Sequence, residues 1–275
     1  MKTAAVDSQR FDRPKFRLAG DRGLLVEFGN AITPEINQSV RAMAFALETA
    51  AVPGVREVIP TYRSVVVVYD PLTTHPSRLS TRILSLYEGL ARIEPPAPKE
   101  SVIPVCYGGA YGPDIAFVAE HNHIGIDDVI RLHSEPSYPI YMLGFSPGFP
   151  FLGGLSEKLH TPRLTSPRTR VPAGSVGIAN NQTGIYPIAS PGGWQVIGRS
   201  PVRLFDPDRP NPFLLRAGDT LRFKPITPDE YRRRAVGGED DCPLQRAVAR
   251  SLHDRSGSGA IRLATLWRAA QRHAG

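Results

Sequence analysis

Between Pro136 and Pro212 the chain carries 13 prolines and 10 glycines in 77 residues, and no other feature restricts its folding as much. Proline fixes φ and lacks the N–H that an interior helix or sheet position needs, while glycine marks tight turns and close backbone approaches. Long helices are therefore excluded over this stretch. A similar density without apolar patterning would read as low complexity. Here Phe149, Val171, Val176, Ile185, Tyr186 and Trp194 recur among the turn residues. The expectation is short strands between tight turns, a barrel or sandwich with long ordered loops.

Ahead of that region the pattern changes. Phe16 to Ala19 and Leu24 to Phe28 read as a hairpin around Gly20-Asp21-Arg22-Gly23. Thr33-Pro34 supplies a helix start, followed by Ile36, Val40, Met43, Ala44 and Leu47 at helical spacing. Val55 to Ile59 and Ser64 to Tyr69 follow as strands, and a second helix begins near Pro76 with Leu79, Ile83, Leu86 and Leu90. The order ββαββα makes an α+β unit over residues 16–94. Three prolines within Pro95-Pro96-Ala97-Pro98 make 95–99 a stiff linker. Residues 100–227 are then a mainly-β domain with two short helices near its start, over Pro113 to Asn122 and Ile126 to Ser134, and a closing hairpin over 211–224. Residues 1–15 read as a disordered N-terminus, and 228–275 as a basic tail with a helix over Ala260 to His273.

Charge narrows the function classes. The net charge is +7, yet much of the excess lies between Cys242 and Gly275, which hold six arginines and one aspartate. With no aromatics interleaved beyond Trp267, the tail is a solvated basic segment and argues against nucleic acid. No purely apolar run, Val65 to Val68 included, comes near the length of a membrane span. No secretory h-region follows the N-terminus, so the cytoplasm is the expected location. Cys106 and Cys242 lack metal or disulfide spacing, and no metal site is expected.

Local motifs exclude more than they establish. Gly144-Phe145-Ser146-Pro147-Gly148 fits G-x-S-x-G, but a nucleophile elbow needs the N–H after the serine, and Pro147 has none. His121 and His123 diverge on a helix and read as solvated; His133, at a helix end before the loop-rich region, has a conceivable polar role. Neither a P-loop nor a G-x-G-x-x-G cradle occurs, and no Met-Lys-Met segment is present, so this chain carries no biotin. There remains a dense set: Arg163, Arg168 and Arg170 among prolines, Ser175, Gln182 to Pro187, and Ser190 to Trp194. Either these residues shape barrel corners, or they present guanidinium groups and loop N–H donors to a carboxylate, carbamoyl or phosphate group.

The same residues carry a resemblance. C-Y-G-G-x-Y-G-P-D runs from Cys106 to Asp114, Y-M-L-G-F-x-P-G-F-P from Tyr141 to Pro150, and P-R-x-x-x-P-R-x-x-V-P-A-G-S-V from Pro162 to Val176. L-G-G-L at Leu152, Q-T-G-I-Y-P at Gln182, S-P-G-G-W at Ser190 and I-G-R-x-P at Ile197 continue the series. Over about residues 16–226 the chain resembles the B-type subunits of 5-oxoprolinase, a group also called allophanate hydrolase subunit 1. Phe151 stands where the family usually has tyrosine, and Asn180 where glycine is common.

The resemblance implies an α+β N-terminal domain followed by a cyclophilin-like β-barrel. It implies one component of an enzyme that opens 5-oxoproline to glutamate with ATP and Mg2+, working with sister C-type and A-type subunits. Two other uses share these motifs: a carboxyltransferase-type component of a urea carboxylase or allophanate hydrolase system, and an inhibitor that binds a histidine kinase. Carried onto this sequence, Arg168, Gln182 and His133 are the expected catalytic residues. Arg163, Ser175, Thr183, Tyr186, Ser190, Gly192, Trp194 and Arg199 are expected to hold substrate or nucleotide.

Overall fold

A computed structural model describes residues 10–235; the Ala260 to His273 helix and Cys242 lie outside them. The chain divides into two compact units between Ala97 and Pro98, inside the proline run.

The first unit contains β1 (Arg10–Ala19), β2 (Gly23–Gly29), α1 (Pro34–Thr49), β3 (Val55–Pro60), β4 (Ser64–Tyr69) and α2 (Pro76–Glu88). Its antiparallel sheet has the order β1-β2-β4-β3. Leu24, Val26 and Phe28 alternate inward on β2, and Val65, Val67 and Tyr69 on β4, all packing with Val40, Met43 and Leu47 of α1. Thr33 caps α1, its Oγ1 accepting from Ile36 N at 3.3 Å, with Pro34 at the first turn. β1 begins at Arg10, which corrects the expectation of disorder through residue 15. Pro14 and the register break between Arg10 and Lys15 disguise its alternation.

The second unit continues as β5 (Glu100–Tyr107), α3 (Ile115–His121), α4 (Ile126–Ser134), β6 (Ser137–Leu143) and β7 (Pro150–Leu152). Then come β8 (Arg168–Val171), β9 (Ser175–Ala179), β10 (Gln182–Ile185), β11 (Ser190–Gly192), β12 (Gln195–Arg199), β13 (Thr220–Pro225) and α5 (Pro228–Arg234). Seven strands form a nearly closed, barrel-like sheet in the order β10-β9-β12-β5-β13-β6-β7. Its two edges approach closely, since a Cβ added to Gly184 of β10 would lie 3.3 Å from the Pro150 carbonyl oxygen of β7. The interior is filled by Ile103, Val105, Ile140, Val176, Ile178 and their neighbours. β8 and β11 form a separate two-stranded ribbon.

Two departures from expectation have clear causes. Residues 211–224 do not form a hairpin: Phe213 makes only an isolated bridge to Phe205, while β13 pairs in parallel with β5 and antiparallel with β6. The left-handed Gly218 turn, whose N–H donates to Ile140 O at 2.8 Å, sends β13 into the barrel instead. The head of the basic tail is helical, because Thr227-Pro228-Asp229-Glu230 is a helix start and Tyr231 buries beside Cys106 and Ile226. Asn180 has φ +53°, a backbone region that asparagine tolerates better than most residues.

Among the described residues no helix is long and apolar enough to cross a membrane.

Candidate functional site

The path to the site starts where β5 ends. Gly108 and Gly109 turn the chain in left-handed conformations, and Gly112 lies so close to β12 that a Cβ would sit 2.0 Å from Ile197 O. That contact delivers Asp114 to β12. Its N–H donates to Val196 O at 2.9 Å, and its Oδ2 accepts from Val196 N at 2.6 Å. Its Oδ1 takes the Arg168 Nη2 at 2.7 Å, while Arg168 Nη1 donates to Trp194 O at 3.3 Å. Arg168 is thus an ion-paired strut between β8, β12 and the start of α3, with its charge largely compensated. Asp114 is legible in the sequence as a motif member, but its part as the arginine's partner is not among the sequence expectations; the available signal is an acid directly after Pro113 at a helix start.

Tyr186 follows β10 and is buried. Its N–H donates to Ser175 O at 2.9 Å, and its carbonyl accepts from Gly174 N at 2.7 Å. Burial raises the phenol pKa; the nearby Arg163 and Arg168 guanidinium groups and the Trp194 backbone oppose the rise. Gly192 must be glycine, since a Cβ there would lie 2.4 Å from the Tyr186 hydroxyl. Phe149 packs edge-on against both Tyr186 and Trp194, with centroids 5.8 and 5.6 Å apart, and against Phe151 at 5.1 Å. These rings form a small apolar cluster with Val171 and Val196, separate from the barrel core.

The Gly144 to Phe149 turn projects Phe145, which is 72% exposed and has φ +64°. Ser146 opens no helix, as expected of a loop that is no nucleophile elbow. Its hydroxyl and that of Ser190 are the buried side-chain polar atoms without a hydrogen-bond partner among the described residues.

His133 is placed elsewhere, wholly buried at the end of α4 and stacked on Phe223 with centroids 4.3 Å apart. Its Nδ1 lies 2.8 Å from the Tyr107 hydroxyl and its Nε2 2.8 Å from Thr183 Oγ1. Thr183 spends its only proton on Gly177 O at 3.1 Å. It must therefore accept from Nε2–H, which leaves Nδ1 to accept from Tyr107. Burial lowers the imidazole pKa to about 3, so the ring is neutral. With both nitrogens committed and no exposure, His133 is placed to position β10 rather than to touch a substrate.

The remaining expected residues fall around these two centres. Ser175 and Arg199 are cross-strand neighbours on β9 and β12, and Arg199 Nε donates to Ala173 O at 2.9 Å. Gln182 opens β10, at the opposite end of that strand from Tyr186. Arg163, Arg168, Tyr186, Ser190, Gly192 and Trp194 are brought to one region; Thr183 and His133 lie together inside the barrel. Among the described residues no group of three or more His, Cys, Asp or Glu could hold a metal ion.

Comparison with known proteins follows the same residues. Residues 14–215 match the family described as carboxyltransferase domain, subdomain C and D. The chain is 43% identical over 223 residues to the B-type subunit of 5-oxoprolinase from Bacillus subtilis, covering 77% of this chain and 92% of that protein. The crystal structure of TTHA0988 superposes with a TM-score of 0.68 at 41% identity, covering 75% of this chain and 41% of that one. The Kluyveromyces lactis urea carboxylase shares the fold, with a TM-score of 0.65 at 23% identity over 80% of this chain and 22% of that one. The chain therefore spans about two-fifths of the TTHA0988 chain but nearly the full length of the Bacillus relative.

Proposed function

Since the chain belongs to the carboxyltransferase-domain family, subdomain C and D, alongside the B-type subunits of 5-oxoprolinase, we propose that it is one component of an ATP-dependent enzyme that opens 5-oxoproline to glutamate. The observation that carries this reading is likeness along almost the whole Bacillus subtilis protein named for that activity. A-type and C-type subunits complete the assembly.

The chemistry requires an activated lactam. An amide carbonyl resists water until its oxygen carries a better leaving group, and ATP with Mg2+ supplies the phosphoryl that makes it one. Overall one water opens the ring and a second is consumed in converting ATP to ADP and phosphate. This chain's part is to bind and orient. Tyr186 and Ser190 orient the ring, Trp194 and Phe149 give it an apolar wall, and Arg163 holds negative charge. Arg168, fixed by Asp114, keeps the Trp194 to Val196 strand in place, and His133 with Thr183 fixes β10 from inside.

ATP hydrolysis should be measured with this chain alone and with the A-type and C-type subunits, using 5-oxoproline and urea as substrates. Turnover confined to the full mixture with 5-oxoproline is the expected result. Turnover with urea instead, or none in a stable assembly, would overturn the reading.

A further inference from the structure

The Ser190 and Tyr186 hydroxyls lie beside β11, and the Arg163 guanidinium is near enough to Tyr186 to act on it electrostatically. The pairing of β11 with β8 shifts register between Ser190 and Gly192, yet both residues are half-buried and Pro191 between them is exposed, so the two turn inward and the proline outward. Gly192 faces the Tyr186 hydroxyl, as its blocked Cβ position shows, so Ser190 projects to the same side. The Ser190 hydroxyl is buried with no partner among the described residues, an arrangement that folded proteins rarely leave unanswered. The Tyr186 hydroxyl, which lies against Gly192, has a proton of its own to donate.

Arg163 supplies the charge. It is exposed and forms no ion pair among the described residues, whereas Arg168 is neutralised by Asp114. The backbone on either side of it is pinned to the same segment. Pro162 O accepts from the buried Gln195 Nε2 at 2.9 Å, and Leu164 N donates to Gly193 O at 2.8 Å. A surface arginine on a backbone held this way loses less freedom on binding than an ordinary one. The carboxylate on this side, Asp114, has both oxygens committed.

We infer that Arg163, Tyr186 and Ser190 form an oxyanion subsite, and that the oxyanion it takes is the carboxylate of a small cyclic amide acid. One uncompensated guanidinium, two neutral hydroxyls and the adjoining Phe149 and Trp194 rings suit a monoanion attached to a short hydrocarbon ring. A polyphosphate calls for more positive charge than one arginine. The choice of carboxylate over phosphoryl rests on the 5-oxoprolinase reading; the subsite itself does not.

The full-length chain, with its arginine Nε signals assigned by NMR, should be titrated with 5-oxoproline, with 2-pyrrolidone, which has the ring without the acid, and with inorganic phosphate. The expected result is that 5-oxoproline shifts the Arg163 signal and 2-pyrrolidone leaves it unmoved. Arg163→Gln should weaken the acid about 10- to 100-fold and Ser190→Ala about fivefold, at unchanged Tm. In the assembled enzyme Arg163→Gln should raise KM for 5-oxoproline and leave KM for ATP alone. A response to phosphate without one to 5-oxoproline, or a change in KM for ATP only, would overturn the carboxylate assignment. No response to either anion would overturn the subsite and leave Ser190 bonded to water only. If Arg163 responds to 5-oxoproline while the wild-type assembly fails to turn it over, the subsite stands and the proposed function falls.

Discussion

In the first unit the fully buried positions are apolar: Val26, Val40, Met43, Val65, Val67 and Ile83 have no solvent exposure, and the least exposed polar residue there is Asn37 at 3%. In the second unit His133 is just as inaccessible, and Thr161, Ser175 and Thr183 are 1% exposed. The first unit is set by periodicity, with apolar side chains every second residue on strands and every third or fourth on helices. The second depends on backbone meeting backbone at glycines and on polar groups whose partners are individually specified. Damage should therefore be graded by volume in the first unit and by lost hydrogen bonds or blocked contacts in the second.

Gly112→Ala should break this contrast most visibly. Its Cβ would lie 2.0 Å from a β12 carbonyl oxygen, and the cost should exceed ~4 kcal/mol, seen as loss of the second unit's thermal transition. Gly20→Ala, at φ +70° with nothing within 4 Å, should cost only ~1 kcal/mol in the first. Equal effects would end the comparison.

Acid should act next, and on the second unit. The His133 imidazole is held at about 3 by burial, against 6.5 ordinarily. Between these values the unfolded chain binds a proton that the folded one does not, so stability is complete above pH 6.5 and falls as pH drops toward 3. The slope should approach ~1.4 kcal/mol per pH unit. Urea titrations from about pH 7 to about pH 4, inside that window, should show it, and His133→Gln should flatten it.

Leu47→Ala, a pure cavity in the first unit, should cost about 3 kcal/mol, and Leu47→Met below about 1.5 kcal/mol. Arg168→Gln should cost about 2 kcal/mol by leaving the mostly buried Asp114 carboxylate short of a partner; Asp114→Asn in the same chain should recover part of this in a double-mutant cycle. The smallest effect belongs to Glu27→Gln. Its partners Arg17 and Arg63 are 70% and 40% exposed, so less than about 1 kcal/mol should be lost, and less still in high salt.

The same contrast decides how much can be read from sequence. The α1 cap, the α2 start at Pro76 and the β4 span are visible because each is written in a few neighbouring residues. The fold class of the second unit is also legible, from punctuation and from the family motifs. The path of β13 is not, because a strand that pairs with β5 from more than a hundred residues away leaves no local trace. At the site, the residues gathered around Tyr186 are named by their motifs. Their division of labour is invisible there: nothing in Arg163 or Arg168 as letters says which one faces Asp114. His133 stands out as a histidine, but its confinement between Tyr107 and Thr183 is a fact of packing.

Cys106 sits at the end of β5 under Tyr231 of α5, in contact with Ile226 and flanked by Tyr111. Burial raises its thiol pKa, with Arg232 partly opposing. Only departure of the short helix gives a reagent access to that sulfur. With Cys242 replaced by serine, the rate at which an alkylating agent consumes the remaining thiol becomes a clock for how often α5 lets go. The fold thus contains its own reporter of local opening, and any shortened form of the protein that ends before α5 would leave that clock permanently running.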